Sequence, residues 1–459
     1  MGLESAAGIR RDFSGLEALV REPVETAPEL LAKLRQVHAT LYGVDLASYD
    51  VASTISAGPE LVASVFHLYL ALRSRVPEWR YQGLMSREVQ KGLRDVFSVC
   101  RYAGDMIGEV HLGHPRLGEH AHPLPAFTGL LLNTQVNPLF ATGNVLAFQD
   151  GDVILMRGMR HNSAAIARIG DIDSQFSHIA MVHIDEAGRP WVVEALIEDG
   201  AVVNPLEYSL GHDLGRAILF RHRDAGLAVR AAKFIRDRVT RSRKNFMLRI
   251  HYDFSMRLEG YRRLFCSKLV RQAFDVASRE RIKLPSYKTE LAMKNRDFFH
   301  RIGVTASETF APGDIELEPD FDVVAEWRDF RVTSDLRLQD MLMDKLFEWM
   351  DAYGYRFSET FVIRLVGVFG KLASYLSDEA KVLLSDVIPK IPINMRRKTI
   401  GTIAMLHNTA EPLLEELQEL ERRSIAASGR PLHPREVKDL LERVRERMGG
   451  EIGYLVAKP

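Results

Sequence analysis

The change of hydrophobic period at residue 151 constrains this chain more than any other feature. Before it, apolar residues recur at helical spacing: Leu16, Leu19 and Val20, then Leu30, Leu31, Leu34 and Val37, with a further helix from Arg87 to Val110. From 151 the apolar residues come in five short runs: Gly151–Arg157, His178–Ile184, Trp191–Leu196, Gly200–Asn204 and Arg216–Arg221. Their length and alternation read as strands. Asp185-Glu186-Ala187-Gly188 is a short turn between the second and third runs, which suits antiparallel pairing. Ala225–Val239 and Phe265–Ala277 return to helical spacing and bracket the strands. The fold class expected is therefore α+β, an antiparallel sheet packed on helices and flanked by all-helical regions.

A chain of 459 residues is too long for one ordinary core. Three regions are expected: helical 1–145, sheet-bearing 146–332 and helical 333–459. A helix over 59–75 carries Pro59 near its first turn, where proline is tolerated. The stretch 111–144 holds Pro115, Pro123, Pro125 and Pro138 and reads as an irregular connection. Beyond 333, helices are expected at Leu336–Tyr353, Ser358–Leu376, Ser377–Val387, Arg397–Leu406, Pro412–Ser424 and Pro434–Met448.

Charge excludes one class of function. Lys+Arg and Asp+Glu both number 61, so the formal net charge is zero and no nucleic-acid partner is expected. The basic run Arg241-Ser242-Arg243-Lys244 reads as a solvated helix end, with peripheral contact to anionic lipid as its alternative. There is no apolar stretch after Met1 and no run of about 18 apolar residues, so neither a signal peptide nor a membrane span is expected. The expected location is cytoplasmic, or outside the cell by a specialised secretion route. Oligomeric state is not expressed in the sequence.

The two cysteines do not suggest a disulfide framework. Cys100 lies in the apolar helical stretch Val96-Phe97-Ser98-Val99 and reads as core. Cys266 opens a helix whose Leu269, Val270, Ala273, Phe274 and Ala277 form one stripe. A cysteine there meets unpaired backbone N–H groups and the positive end of the helix dipole. Both favour the thiolate, which is the nucleophile.

A thiol nucleophile needs a base, and the base needs an orienting group. His178 opens a strand, and Ala180 and Val182 on its face are small enough to leave room beside it. Glu194 is an isolated carboxylate in the next apolar run. A buried carboxylate requires a partner, and a histidine on the adjacent strand would supply one. Arg262-Arg263, just before the cysteine, reads as a group that binds a substrate carboxylate or lowers the thiol pKa. Asp152 reads as a turn or cap residue. The cluster His111, His114, His120 and His122 has metal-ligand chemistry, but with no cysteine nearby it reads as a solvated loop. No metal or cofactor is expected.

The order Gly151-Asp152, Ser177-His178, Val193-Glu194-Ala195, then Cys266-Ser267 resembles the circularly permuted branch of the NlpC/P60 papain-like superfamily, and within it the YiiX/YaeF-type amidases. Tyr252-Asp253 resembles the family's Tyr-Asp pair, and Glu326-Trp327-Arg328-Asp329 a tail element. Phe265 and Lys268 stand where the family commonly has Tyr and Glu, and Lys268 brings an extra positive charge near the thiol. The resemblance spans about 150 to 330 and implies a permuted papain-like core. It implies a Cys266, His178, Glu194 triad that cleaves a peptide or N-acyl amide through an acyl-enzyme. Tyr252, Ser177 and Arg263 are the candidates for substrate or oxyanion contacts. Two other functions stay open: acyl transfer or thioester hydrolysis on lipids or acyl carriers, and a scaffold whose papain-like core only binds.

Overall fold

The computed structural model describes residues 6–43, 50–112, 133–141, 146–211, 214–291, 295–375, 391 and 393–457. Its centre is a seven-stranded sheet in the order β1-β9-β6-β2-β3-β4-β5, with every neighbouring pair antiparallel. The strands are β1 (Thr134–Val136), β2 (Val153–Gly158), β3 (His178–Ile184), β4 (Pro190–Leu196), β5 (Gly200–Pro205), β6 (Leu214–His222) and β9 (Phe321–Arg328). Between the last two in sequence, β7 (Thr289–Glu290) and β8 (Glu308–Thr309) form a separate short ribbon. The meander β2 to β5 is the one expected. β6 then returns to the other edge of β2, with Ile154 opposite Leu219, so β2 is central. Gly200 sits at φ 72° where a Cβ would lie 2.1 Å from the Ile250 carbonyl oxygen, so only glycine fits that approach.

Strand alternation divides the sheet into two faces. Leu155, Ile179, Met181, Val193 and Ile218 share the main core with α7 (Ala225–Arg243) and α8 (Cys266–Ala277). Ala180, Val182, Val192 and Ala217 face the other way, into a smaller cluster with Leu206, Leu210 and Trp327. Leu206 and Leu210 belong to α6 (Leu206–Gly211), which, like α5 (His161–Ile166), is too short to announce itself by periodicity.

Among the described residues, four helices precede the sheet: α1 (Ala6–Arg21), α2 (Ala27–Tyr42), α3 (Val51–Tyr81) and α4 (Arg87–His111). Pro59 is not in a first turn. Asp50 caps α3 eight residues earlier in the helix than expected by accepting the Ser53 N–H, and both Pro59 and Pro77 lie inside. Proline cannot donate to the carbonyl four residues back. Here that carbonyl, on Ile55, accepts from His111 Nδ1 instead. Gly58 leaves the room, since a Cβ there would lie 2.4 Å from the His111 side chain. His111 thus completes α3; the rest of the histidine cluster lies outside the described residues.

By length and composition α3 is the one helix among the described residues apolar enough to cross a membrane. This departs from the expectation of no such stretch. Half of its most apolar stretch is buried, and Arg73 within α3 is buried and donates to the Glu318 and Phe321 carbonyls. The apolar content of α3 is therefore largely core packing.

After the sheet come α9 (Arg296–Ile302), α10 (Thr333–Ala352), α11 (Phe361–Ala373), α12 (Arg397–Ser428) and α13 (Pro434–Met448), with β10, β11 and β12 forming a small sheet at Tyr355–Phe357, Glu451–Ile452 and Leu455–Ala457. The two helices expected at Arg397–Leu406 and Pro412–Ser424 are one, continuous through Pro412. The helix expected at Ser377–Val387 lies outside the described residues.

Buried ion pairs tie both helical regions to the sheet. Arg101 of α4 reaches Glu316 and Glu326, and Arg216 of β6 reaches Asp105 of α4. Arg157 of β2 donates to Asp340 of α10 at 2.9 Å, and Arg337 of α10 donates to Glu109 of α4 at 2.8 Å and to Glu421 of α12 at 3.3 Å. Charges this deep persist only when paired, so each pair fixes how the helices sit on the sheet.

Candidate active site

Antiparallel pairing brings the end of β2, the start of β3 and the end of β4 to one end of the sheet. His178 opens β3 there, and Glu194 lies near the end of β4. His178 Nε2 is 2.8 Å from Glu194 Oε2. The other Glu194 oxygen accepts from Asn204 Nδ2 at 2.9 Å and Ser209 Oγ at 2.7 Å. The carboxylate is buried but fully partnered. Burial pushes its pKa up, yet the hydrogen bonds and charge of His178, with Ser209 and Asn204, outweigh burial and hold it below the usual carboxylate value.

With Nε2 turned to Glu194, Nδ1 is left for the thiol. Cys266 is the first residue of α8, after the extended Phe265, and is hydrogen-bonded to His178. Burial pushes the thiol up; the His178 hydrogen bond and charge, the Ile179 backbone and Ser267 overcome it and hold it below its ordinary value. Burial likewise disfavours charged His178, but Cys266 and Glu194 raise it to about 10. The three groups therefore favour thiolate beside imidazolium. The His178 side chain is 22% exposed and Cys266 4%, so the base meets solvent and the sulfur is nearly enclosed.

The remaining candidates are distributed around this centre. Tyr252 is buried beside it; burial first, then the negative charges of Cys266, Glu198 and Asp253, push its phenol well above the ordinary value. It stays protonated and able to donate. The Ser177 hydroxyl instead accepts the Gly158 N–H at 3.4 Å, tying β2 to the start of β3. Arg263 is exposed, and its positive charge acts on His251. Lys268 is not a free charge near the thiol: its Nζ donates to Asp253 Oδ2 and to the Glu259 carbonyl, each at 2.9 Å. Ala180 and Val182 leave no open room, because they pack in the smaller core with Leu206 and Leu210. Asp152 is a turn residue held by Arg221 and the Gln149 N–H. Cys100 is core, its thiol pushed up to about 12 by burial.

Asn204 and Ser209 were not singled out in the sequence. Asn204 had a signal: it pairs with Val192, two residues from Glu194 on the same face of the sheet. Ser209 had none, since α6 itself is not legible. Among the described residues, His161, His407 and Glu411 form a cluster with metal-ligand chemistry, their ligand atoms within 4.8 Å of one another. His161 Nε2 is hydrogen-bonded to Glu411 at 2.7 Å. The cluster lines a cavity of 920 Å³ between the end of the sheet and α11 and α12.

A histidine opening a strand, and a cysteine opening a helix packed on the same sheet, define a papain-like thiol hydrolase core. Residues 147–315 match the family described as permuted papain-like amidase enzymes of the YaeF/YiiX type, the C92 family. That segment, less than half of the chain, is similar to permuted papain-like amidase domains. The matched residues contain His178, Glu194 and Cys266 and stop short of Glu326–Asp329. No curated protein matches the chain.

Proposed function

We propose that this protein hydrolyses an amide bond of a peptide-like or N-acylated substrate, with Cys266 as nucleophile, His178 as base and acid, and Glu194 as orienting group. The reading is carried by one imidazole that contacts Glu194 at 2.8 Å through Nε2 and whose hydrogen bond and charge hold the Cys266 thiol below its ordinary value. The thiolate attacks the carbonyl carbon, and the C–N bond breaks as His178 gives its proton to the leaving amine. Water then attacks the thioester, His178 takes its proton, and the Cys266 thiolate leaves with the acid released. The Cys266 N–H, at a helix start without an intrahelical acceptor, and the Tyr252 hydroxyl are donors for the oxyanion.

The test is alkylation by iodoacetamide across pH, read by intact mass, on the wild-type and His178→Ala proteins. Rapid labelling of Cys266 at a pH of about 6, slowed by loss of His178, is expected. Slow labelling in both, following an ordinary thiol pKa of about 8.5, overturns the triad. A second reading, hydrolysis or transfer of an acyl group carried on a lipid, is favoured by the apolar walls of the 920 Å³ cavity.

A further inference from the structure

We infer that the cavity between the sheet and the C-terminal helices holds a long apolar acyl chain of the substrate, an inference that rests on Cys266 being the nucleophile. Its volume, 920 Å³, is at the upper end of the range of about 300–1,000 Å³ common for small-molecule sites. His178 and Cys266 do not themselves line it, but three observations place it next to the residues that surround them. Met159 and Arg160 follow β2, and Ile197 and Glu198 follow β4, so the cavity begins at the end of the sheet where His178 opens β3. Glu198 lies where its charge acts on Tyr252, and the charge of His178 acts on Glu198. Asn394, between the lining residues Ile391 and Met395, donates to the Tyr252 carbonyl at 2.7 Å.

The far wall is apolar: Val366 and Phe369 from α11 with Ile400, Ile403 and Leu414 from α12. α11 is apolar outward as well, with Leu372 67% and Val368 37% exposed. A helix that only closes a core turns a polar face to water. One that is apolar on both sides gives a hydrocarbon chain a path from a lipid phase into the cavity. The chemistry selects the acyl part as occupant. It is the half of the substrate that stays on the sulfur after the amine has left, so a cavity that starts at the sheet end carrying His178 holds it through both steps.

The test is a fluorescence titration of the Cys266→Ser protein with cis-parinaric acid, a fluorescent fatty acid, in competition with octanoate, dodecanoate and hexadecanoate. Saturable one-to-one binding is expected, with affinity rising along the series by up to about fourfold per methylene. Phe369→Glu, at an exposed position that folding tolerates, and Ala404→Trp, which fills the cavity, each weaken binding by about tenfold or more. Absence of saturable binding, or affinity flat along the series and unmoved by Phe369→Glu, overturns the inference. Neither result touches the thiol: a slow-alkylating Cys266 in a protein that binds fatty acids sinks the triad instead.

Discussion

Lys268 and Asp253 form a buried ion pair, Nζ to Oδ2 at 2.9 Å, two residues into the helix that Cys266 opens. Asp253 also accepts from the Ser255 N–H and hydroxyl, so the pair anchors the segment carrying Tyr252 to the start of α8. Removing one partner leaves the other charged and unpaired, at a cost of about 3–5 kcal/mol. Lys268→Met alone is expected to lose that much stability in urea unfolding. The double variant Lys268→Met, Asp253→Asn is expected to recover most of it. Equal losses in the single and double variants would show that the charges are not coupled.

Glu194 holds His178, and Asn204 and Ser209 hold Glu194. Ser209→Ala removes one of three partners without touching the histidine or the sulfur. It is expected to lower kcat by about tenfold with little change in KM, as loss of orientation does. The more specific readout is the alkylation profile of Cys266. In the wild type the charge of His178 holds the thiol below its ordinary value. Glu194→Gln withdraws a charge that raises His178, so the imidazolium is weakened and the rise of the profile moves to higher pH. His178 is raised above its ordinary 6.5, so its stabilising contribution is full below that value and is lost as pH climbs towards about 10. An alkylation profile identical in wild type and Glu194→Gln would remove the carboxylate from the mechanism.

Five strands of the sheet, β2 to β6, and the order of His178, Glu194 and Cys266 were legible because each rests on short-range information, whereas β9 was not read as a strand. Strand alternation marks His178–Ile184, and a helical stripe marks the start of α8. What was not legible depends on distant partners. Pro59 could be placed in a first turn because its missing N–H is harmless there; that α3 runs through it depends on His111, 56 residues away, reaching the Ile55 carbonyl. The charge of Lys268 was visible, but its partner Asp253 reaches it through a loop. β1 joins the sheet only by pairing with β9, Val136 opposite Ala325, a register no local pattern encodes. The cavity needs α11 and α12 laid over the sheet end, and only tertiary packing does that.

Arg337 is fully buried and joins three elements, with Glu109 of α4 and Glu421 of α12 as its acceptors. Arg337→Met leaves two buried carboxylates without their cation. A loss of about 3–5 kcal/mol in urea unfolding is expected. The C-terminal helices are expected to loosen first, seen as faster amide exchange in α12 than in β3. Uniform exchange across both elements would mean that the network does not specifically hold α12.

Glu318 is the buried carboxyl that most clearly couples folding to pH. It accepts from the Ser286 N–H and, at 2.8 Å, from the Ser286 hydroxyl. Burial raises it to about 7 against its ordinary 4.5, more than those bonds and the Arg80 charge lower it. The folded chain therefore keeps this proton over a range in which the unfolded chain has released it. Stability from this group is full at low pH and falls as pH rises from 4.5 to about 7, with a slope of at most about 1.4 kcal/mol per pH unit. Glu318→Gln keeps an acceptor for Ser286 and has no proton to lose. Urea unfolding across that window is expected to show a shallower fall for Glu318→Gln than for the wild type. Parallel curves would mean that Glu318 is ionised in the folded protein throughout and that its burial is offset by Arg80 and Ser286.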